Sequence, residues 1–320
     1  MKLSAIGVDL GASRIRAGLL APDGRFHARL QVPTEASKGP DEVLANLIAL
    51  IRQVMAQAGG EPVGGIGVAA AGQIHPESQA VVYAPNLGWT DVPLRAFLEN
   101  AFGLPVWVEN DVRGAAWGEF RHGAGRGAQS LIAVFVGTGV GSGAVLGGRL
   151  WRGASNAAGE IGHTQVVPDG LPCRCGNRGC LEVYASGSGF GRRLETALAA
   201  GTTTKLAEWT RGEPGRLTAA QVARAALEGD SFAERLWSDA VSFLGLALTN
   251  AVTLLNPERL VLGGGVMETV PALVQNVAAH IQANTTLMAK RAVRVTTAEL
   301  GEWAGAVGAA SLVIEESIGN

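Results

Sequence analysis

Charge is scarce in this chain. Asp, Glu, Lys and Arg make up 17% of its 320 residues and 47% are apolar, whereas an average domain is about 25% charged. A disordered chain has the opposite balance, so folded structure is expected. The signs nearly cancel: 26 basic against 28 acidic side chains leave −2. No overall basic field invites nucleic acid, and none is expected as a partner. Unbroken apolar runs are missing as well. Gly127 to Gly148 carries no charge but holds seven glycines, and it reads as strand, turn and strand. Ala240 to Pro257 is also uncharged, yet Ser242, Thr249, Asn250, Thr253 and Asn256 interrupt it. It falls short of the roughly 20 apolar residues of a span and predicts a buried core helix. Asp9 breaks the apolar run at the N-terminus, so no secretory signal is expected. The expectation is a cytoplasmic protein with no membrane partner. Cysteine is sparse, with three residues inside an eight-residue stretch. An odd count in a cytoplasmic chain argues against disulfides.

What the chain has in excess is glycine, 45 of 320 residues or 14%, against a usual share of about 7%. With no collagen period, this predicts tight turns and close backbone approaches. The length suits about two domains. Leu3 to Leu10, Ile15 to Leu20 and Phe26 to Val32, joined by short turns, predict an antiparallel meander. Val43, Leu44, Leu47, Ile48, Ile51, Val54 and Met55 recur at helical spacing and predict a helix over 41–57. A strand at Ile66 to Ala70, a helix near 91–102, a strand at Val106 to Glu109 and a helix over 111–121 follow. The opening pattern then recurs: strand Leu131 to Val136, a turn at Gly137 to Gly143, and a returning strand at Ala144 to Leu146. Two such starts suggest an internal duplication, with the boundary between halves near Gly123 to Gln129. Beyond 185 the chain reads as mostly helical. Thr218 with Gln221 forms a capping box, a long helix covers 231–256, Leu260 to Leu262 is a short strand, and a last helix starts near Trp303.

Three constellations can carry chemistry. The strongest is His163 with Cys173, Cys175 and Cys180. Cys-x-Cys neighbours are poorly placed to bond each other, while three thiolates and an imidazole make a closed tetrahedral zinc set. The other reading is three reduced surface thiols beside an unrelated histidine. The second constellation is the pair of small-residue turns, 9–14 and 137–143, with Gly263, Gly264 and Gly265 after a third strand. Backbone N–H groups on such turns, with the hydroxyls of Ser13 and Thr138, can approach phosphate closely. Neither turn is a P-loop, and each taken alone is also an ordinary hairpin. The third is Glu109-Asn110-Asp111, either a helix N-cap or a carboxylate held at the mouth of a sheet, where ligands gather. Asp9 is open in the same way, to a metal-bound water or to a strand-end turn.

These motifs resemble the ROK family of sugar kinases and related repressors. Gly159-Glu160-Ile161-Gly162-His163 followed by Cys173-Arg174-Cys175-Gly176-Asn177-Arg178-Gly179-Cys180-Leu181-Glu182 is similar to the family signature. Asn86-Leu87-Gly88-Trp89, Glu109-Asn110-Asp111, Gly137 to Gly143 and Gly263-Gly264-Gly265 resemble further family segments. The resemblance implies an α/β, two-domain, actin-like ATPase (ribonuclease H-like) fold with a cleft between the domains. It divides the chain into a small domain, 1–122, joined by the C-terminal helix at about 303–320, and a large domain, 123–302, with the zinc loop. It implies an ATP-dependent hexose kinase, glucose being the first choice of sugar, working with Mg2+ and a structural Zn2+. Asp111 would be the general base. Asn86, Asn110, Asp111, Glu160, His163 and Glu182 would bind the sugar. Asp9, Gly11, Ala12, Ser13, Arg14, Gly137, Thr138, Gly139, Gly141, Gly263, Gly264 and Gly265 would hold the nucleotide and magnesium. A homodimer is expected by the same resemblance.

The alternatives are an N-acetylmannosamine, N-acetylglucosamine or fructose kinase, or a non-catalytic sugar-sensing regulator. Family repressors carry a helix-turn-helix ahead of the first turn, and here that turn's strand is already under way at Gly7. Some positions depart from the family pattern. Gly11-Ala12-Ser13 replaces Gly-Gly-Thr, which restricts the turn if positive φ is needed. Arg14 follows where Lys, Thr or Asn is common, and Ala69-Ala70-Ala71-Gly72 lacks a proline. Arg113 is expected either to lower the pKa of Asp111 or to point to solvent.

Overall fold

The computed structural model describes residues 3–318. It begins with β1 (Ser4–Leu10), β2 (Arg14–Leu20), β3 (Phe26–Pro33), α1 (Pro40–Gln57) and β4 (Val63–Ala70). Three short strands follow, β5 (Gln73–Ile74), β6 (Val81–Ala84) and β7 (Trp89–Val92), then α2 (Leu94–Phe102), β8 (Val106–Asn110) and α3 (Asp111–His122). The pattern restarts with β9 (Leu131–Val136), β10 (Val140–Leu146) and β11 (Arg149–Trp151). The helical part comprises α4 (Leu181–Ala185), α5 (Gly187–Ala199), α6 (Lys205–Trp209), α7 (Ala219–Leu227) and α8 (Ser231–Leu255). The chain closes with β12 (Arg259–Gly263), α9 (Gly265–Thr269), α10 (Pro271–Asn284), α11 (Leu287–Ala292), β13 (Arg294–Thr297) and α12 (Ala304–Ile318).

The two predicted starts build two sheets of one plan. The first has strand order β3-β2-β1-β4-β8 and the second β11-β10-β9-β12-β13. In the first, β1 to β3 form the antiparallel meander, and β4 and β8 add in parallel. The repeated strand–turn–strand start expected from the sequence is present in both sheets, and the common order of the remaining strands extends it. A small sheet, β5-β6-β7, has no counterpart in the sequence reading. Its strand β7 takes up residues 89–92, so the helix expected near 91–102 starts only at Leu94, after Pro93.

Contacts divide the chain into two compact units. The first takes in the chain up to Leu131, Gly143–Gly159 and the chain from Glu299; the second takes in Ile132–Ser142 and Glu160–Ala298. Inside the first, α1 buries Val43, Leu47, Ile51 and Val54 against the meander. On the other face lies α12, with Ala306, Val307, Ala310 and Val313 buried. Here the glycine excess finds its use: a side chain on Gly67 would overlap the carbonyl of Ala309, and one on Gly7 that of Ala306. Two backbones meet with no room for a methyl. Gly67→Ala should therefore force α12 off the sheet and cost about 3 kcal/mol or more, read as a lower urea midpoint. Glu119 at the end of α3 is fully buried and accepts from the backbone N–H of Ala124, Glu299 and Leu300. It fixes the chain that leads into α12.

In the second unit α8 is long and apolar enough to cross a membrane by length and composition alone. It is also amphipathic, as a core helix should be: Phe232, Leu236, Ala240, Leu244, Leu248 and Val252 are buried, while Asn250 and Leu254 are exposed. The capping box at Thr218 and Gln221 forms as predicted, with Gln221 N–H donating to the Thr218 hydroxyl at 3.2 Å.

Candidate active site

In the first unit, β8 ends at Asn110 and α3 begins at Asp111. Asn110 is the N-cap, its Oδ1 accepting from the N–H of Val112 and Arg113 at 3.1 Å each. The cap reading and the carboxylate reading turn out to be compatible. The Nδ2 of the same amide donates to Asp111 Oδ1 at 2.8 Å, and Val112 N–H donates to that oxygen at 2.9 Å. The Asp111 carboxylate is thus held at a helix N-terminus, where a negative charge is favoured.

Glu109 and Arg113 pair with each other in the interior of the unit. Glu109 is 1% exposed and carries no free carboxylate; Arg113 Nη2 meets its Oε1 at 2.7 Å, and Arg152 Nε meets Oε2 at 2.6 Å. Arg113 is 2% exposed, so it does not point to solvent. Its guanidinium pairs with Glu109 and donates to Asn156 Oδ1 at 3.3 Å. The cause is helical spacing: residues 109 and 113 lie one turn apart. The same network fixes Asn156, whose Nδ2 donates to the carbonyl of Ile74.

Asp9 sits near the end of β1, with Arg16 Nη1 at 3.4 Å, and Arg16 Nη2 in turn contacts Glu302 at 2.9 Å. Burial, then the charge of nearby Asp111, push the Asp9 carboxyl up to about 7 against the weaker pull of Arg16. A cation there would relieve both penalties. The folded chain keeps a proton that the unfolded chain loses, so stability falls as pH rises from 3.8 to about 7. Asp9→Asn, which imitates the protonated form, should flatten that fall. Unfolding midpoints at several pH values, without magnesium or nucleotide, measure it.

The turn after Asp9 needs no unusual backbone. Gly11, Ala12 and Ser13 all have negative φ, so the restriction expected from Ala12 does not arise. Thr34 holds the turn. It is fully buried, its hydroxyl donates to the Gly11 carbonyl at 2.6 Å, and its N–H donates to Ser13 at 3.0 Å. Sequence reasoning missed Thr34, because it lies just after β3 and has no motif of its own. Ser13 and Arg14 are exposed at the turn. Asn86 is exposed too, between β6 and β7, beside the buried Leu87 and Trp89.

In the second unit the turn Gly137-Thr138-Gly139 is pinned from three sides. Gly137 N–H donates to Gly139, Gly187 N–H donates to Gly137, and Ser188 N–H donates to Thr138, at 2.9, 2.9 and 3.1 Å. Glu182 Oε2 accepts from Val140 N–H at 3.1 Å and would lie 2.6 Å from a side chain on Gly139. Gly141 continues the turn into β10. After β12, Gly264 takes φ 89°, and a side chain there would lie 2.6 Å from the Val136 carbonyl oxygen, so the position suits glycine. Gly263 ends the strand and Gly265 starts α9. A pocket of about 740 Å³ opens here, lined by Gly137, Thr138, Arg174, Ser188, Arg192 and Gly265. Leu217 and Val266 give it apolar wall.

His163 and the three cysteines come together as predicted, with ligand atoms all within 4.8 Å of one another. Cys173 and Cys180 are buried, so they are not surface thiols. Cys175 Sγ lies 3.7 Å from Cys180 Sγ, and His163 Nδ1 lies 3.8 Å from Cys173 Sγ. A tetrahedron with metal–sulfur bonds of about 2.3 Å has sulfurs about 3.8 Å apart, so the donor set fits zinc. Burial, then hydrogen bonds from neighbouring thiols, push Cys180 up to about 12. Only a cation would make such a thiol a thiolate. His163 reaches this cluster from the short turn Ile161–His163, preceded by the exposed Glu160, and its Nδ1 faces the sulfurs. Its Nε2 has no hydrogen-bond partner among the described residues.

The ROK family model matches residues 5–316. A glucokinase of Halalkalibacterium halodurans is 34% identical over 314 residues, 97% of this chain and 95% of that protein. The crystal structure of a ROK family glucokinase from Streptomyces griseus in complex with glucose and AMPPNP is similar with a TM-score of 0.78 and 33% identity. It covers 97% of this chain and 98% of that one. A xylose repressor of Bacillus spizizenii is 28% identical, over 97% of this chain and 77% of its own length.

Proposed function

Because the chain belongs to the ROK family and has its actin-like ATPase fold, we propose that it is an ATP-dependent hexose kinase acting on glucose. The observation that carries this reading is the held carboxylate of Asp111, fixed through Oδ1 by Asn110 and Val112. Phosphoryl transfer asks for positioning and charge neutralisation more than covalent chemistry. Asp111 accepts the proton of the sugar hydroxyl as its oxygen attacks the γ-phosphorus. The bond to the bridging oxygen breaks, ADP leaves, and Asp111 passes its proton to solvent.

The other roles are assigned residue by residue. Asn86, Asn110, Glu160, His163 and Glu182 take the sugar hydroxyls, with Asn110 also orienting Asp111. Gly11, Ala12, Ser13 and Arg14, with Gly137, Thr138, Gly139 and Gly141, present donors to the ATP phosphates. Gly263, Gly264 and Gly265 border the nucleotide in the 740 Å³ pocket. Magnesium, arriving with ATP, supplies positive charge to the phosphates, and Asp9 is the residue suited to hold it. His163, Cys173, Cys175 and Cys180 hold a structural zinc that aims His163 Nε2 at sugar. The same reading makes the protein a cytoplasmic homodimer with no membrane or nucleic-acid partner, and light scattering tests the dimer.

The xylose repressor relative supports a second reading, a sugar sensor without turnover. ADP release measured with magnesium, ATP and a panel of hexoses separates the two. Turnover on glucose with little on fructose, N-acetylglucosamine or N-acetylmannosamine is the expected outcome. Preference for another hexose would change the substrate but keep the reaction. No turnover on any sugar, with sugar binding intact by calorimetry, would establish the sensor.

A further inference from the structure

Two guanidinium groups border the 740 Å³ pocket of the second unit with no carboxylate partner. Arg174 stands between Cys173 and Cys175, and Arg192 lies on α5 one turn after Ser188. Neither forms an ion pair among the described residues. Nε and Nη2 of Arg192 are buried without any hydrogen-bond partner. Glu195, which also lines the pocket, is paired to neither. The charge of Arg192 is shared over its whole guanidinium, so the two unpaired buried nitrogens make it costly, and an anion in the pocket beside its open edge would offset that cost. The neighbours point to the kind of anion. Thr138 and Ser188 bring hydroxyls and Gly137 and Gly265 bring close backbone, while Leu217 and Val266 suit an apolar flat group. A nucleoside with a phosphate chain has both characters.

We propose that Arg174 and Arg192 contact the phosphates of the phosphoryl donor. The cysteine loop that holds His163 thus also delivers a cation to the donor pocket. This assignment rests on the kinase reading. It places donor affinity partly under the control of the thiol cluster: loss of metal would weaken donor and sugar binding together.

The test is calorimetric titration of wild type, Arg174→Gln and Arg192→Gln with AMPPNP plus magnesium, with adenosine, and with glucose. Each variant should bind AMPPNP about tenfold or more weakly, with adenosine changed by less than about twofold. Arg174 is exposed, so its variant should keep its metal and its glucose affinity. Metal-stripped wild type should lose AMPPNP affinity as Arg174→Gln does. AMPPNP affinity unchanged in both variants, or adenosine weakened as much as AMPPNP, would overturn the proposal. An effect in one variant alone removes the other residue from the assignment. A wild type that binds glucose but not AMPPNP would overturn the kinase reading itself.

Discussion

Asp111→Asn is expected to lower turnover by roughly 10²–10⁴-fold, the usual worth of a general base, with sugar affinity little changed. Asparagine keeps the shape of aspartate and can still accept the Val112 N–H, which fixes Oδ1 at 2.9 Å. It loses the charge and the proton acceptor. The loss should therefore appear in kcat far more than in KM. A comparable loss of sugar affinity would mean that Asp111 binds sugar more than it removes a proton. Undiminished turnover would mean that the base lies elsewhere.

Cys180→Ser is expected to have the second large effect. Cys180 is wholly buried, and with Cys173, Val183 and Tyr184 it forms the small core under the loop. Backbone bonds also tie the loop, among them Cys173 N–H to Asn177 and Gly179 N–H to Leu171, both 2.8 Å. Binding of about 10–16 kcal/mol in small zinc peptides sets the scale of ordering energy at stake. Metal analysis should find about one zinc per chain in wild type and little in the variant. Sugar affinity should fall with it, because His163 loses its orientation. The rest of the second unit has its own core around α8, so thermal unfolding should show early loss of one segment, not loss of the fold. Metal loss with unchanged sugar affinity would remove the aiming role from His163.

Where chemistry is local in sequence, it was legible. The thiol set, the two glycine turns, the Asn110 cap and the repeated strand–turn–strand start all lie within windows of a few to twenty residues, and spacing alone suggests their geometry. The rest depends on partners far along the chain. Thr34 closes a turn more than twenty residues away, and nothing in Arg-Leu-Gln-Val-Pro-Thr marks it. Arg113 stands two residues after Asp111 in sequence, but the partners that bury it are a glutamate one turn back and Asn156, 43 residues on, which spacing alone does not reveal. The glycine count foretold close approaches, but not that Gly67 would face Ala309. The small sheet escaped because strands of two to four residues carry too little alternation to stand out.

The most direct measurement of the central claim is phosphorus-31 NMR of purified protein with magnesium, ATP and glucose. A growing hexose 6-phosphate signal, stoichiometric with ADP, is expected, and Asp111→Asn should reduce it to near background. ADP and free inorganic phosphate without phosphorylated sugar, or unchanged ATP in protein that binds both ligands, would contradict it.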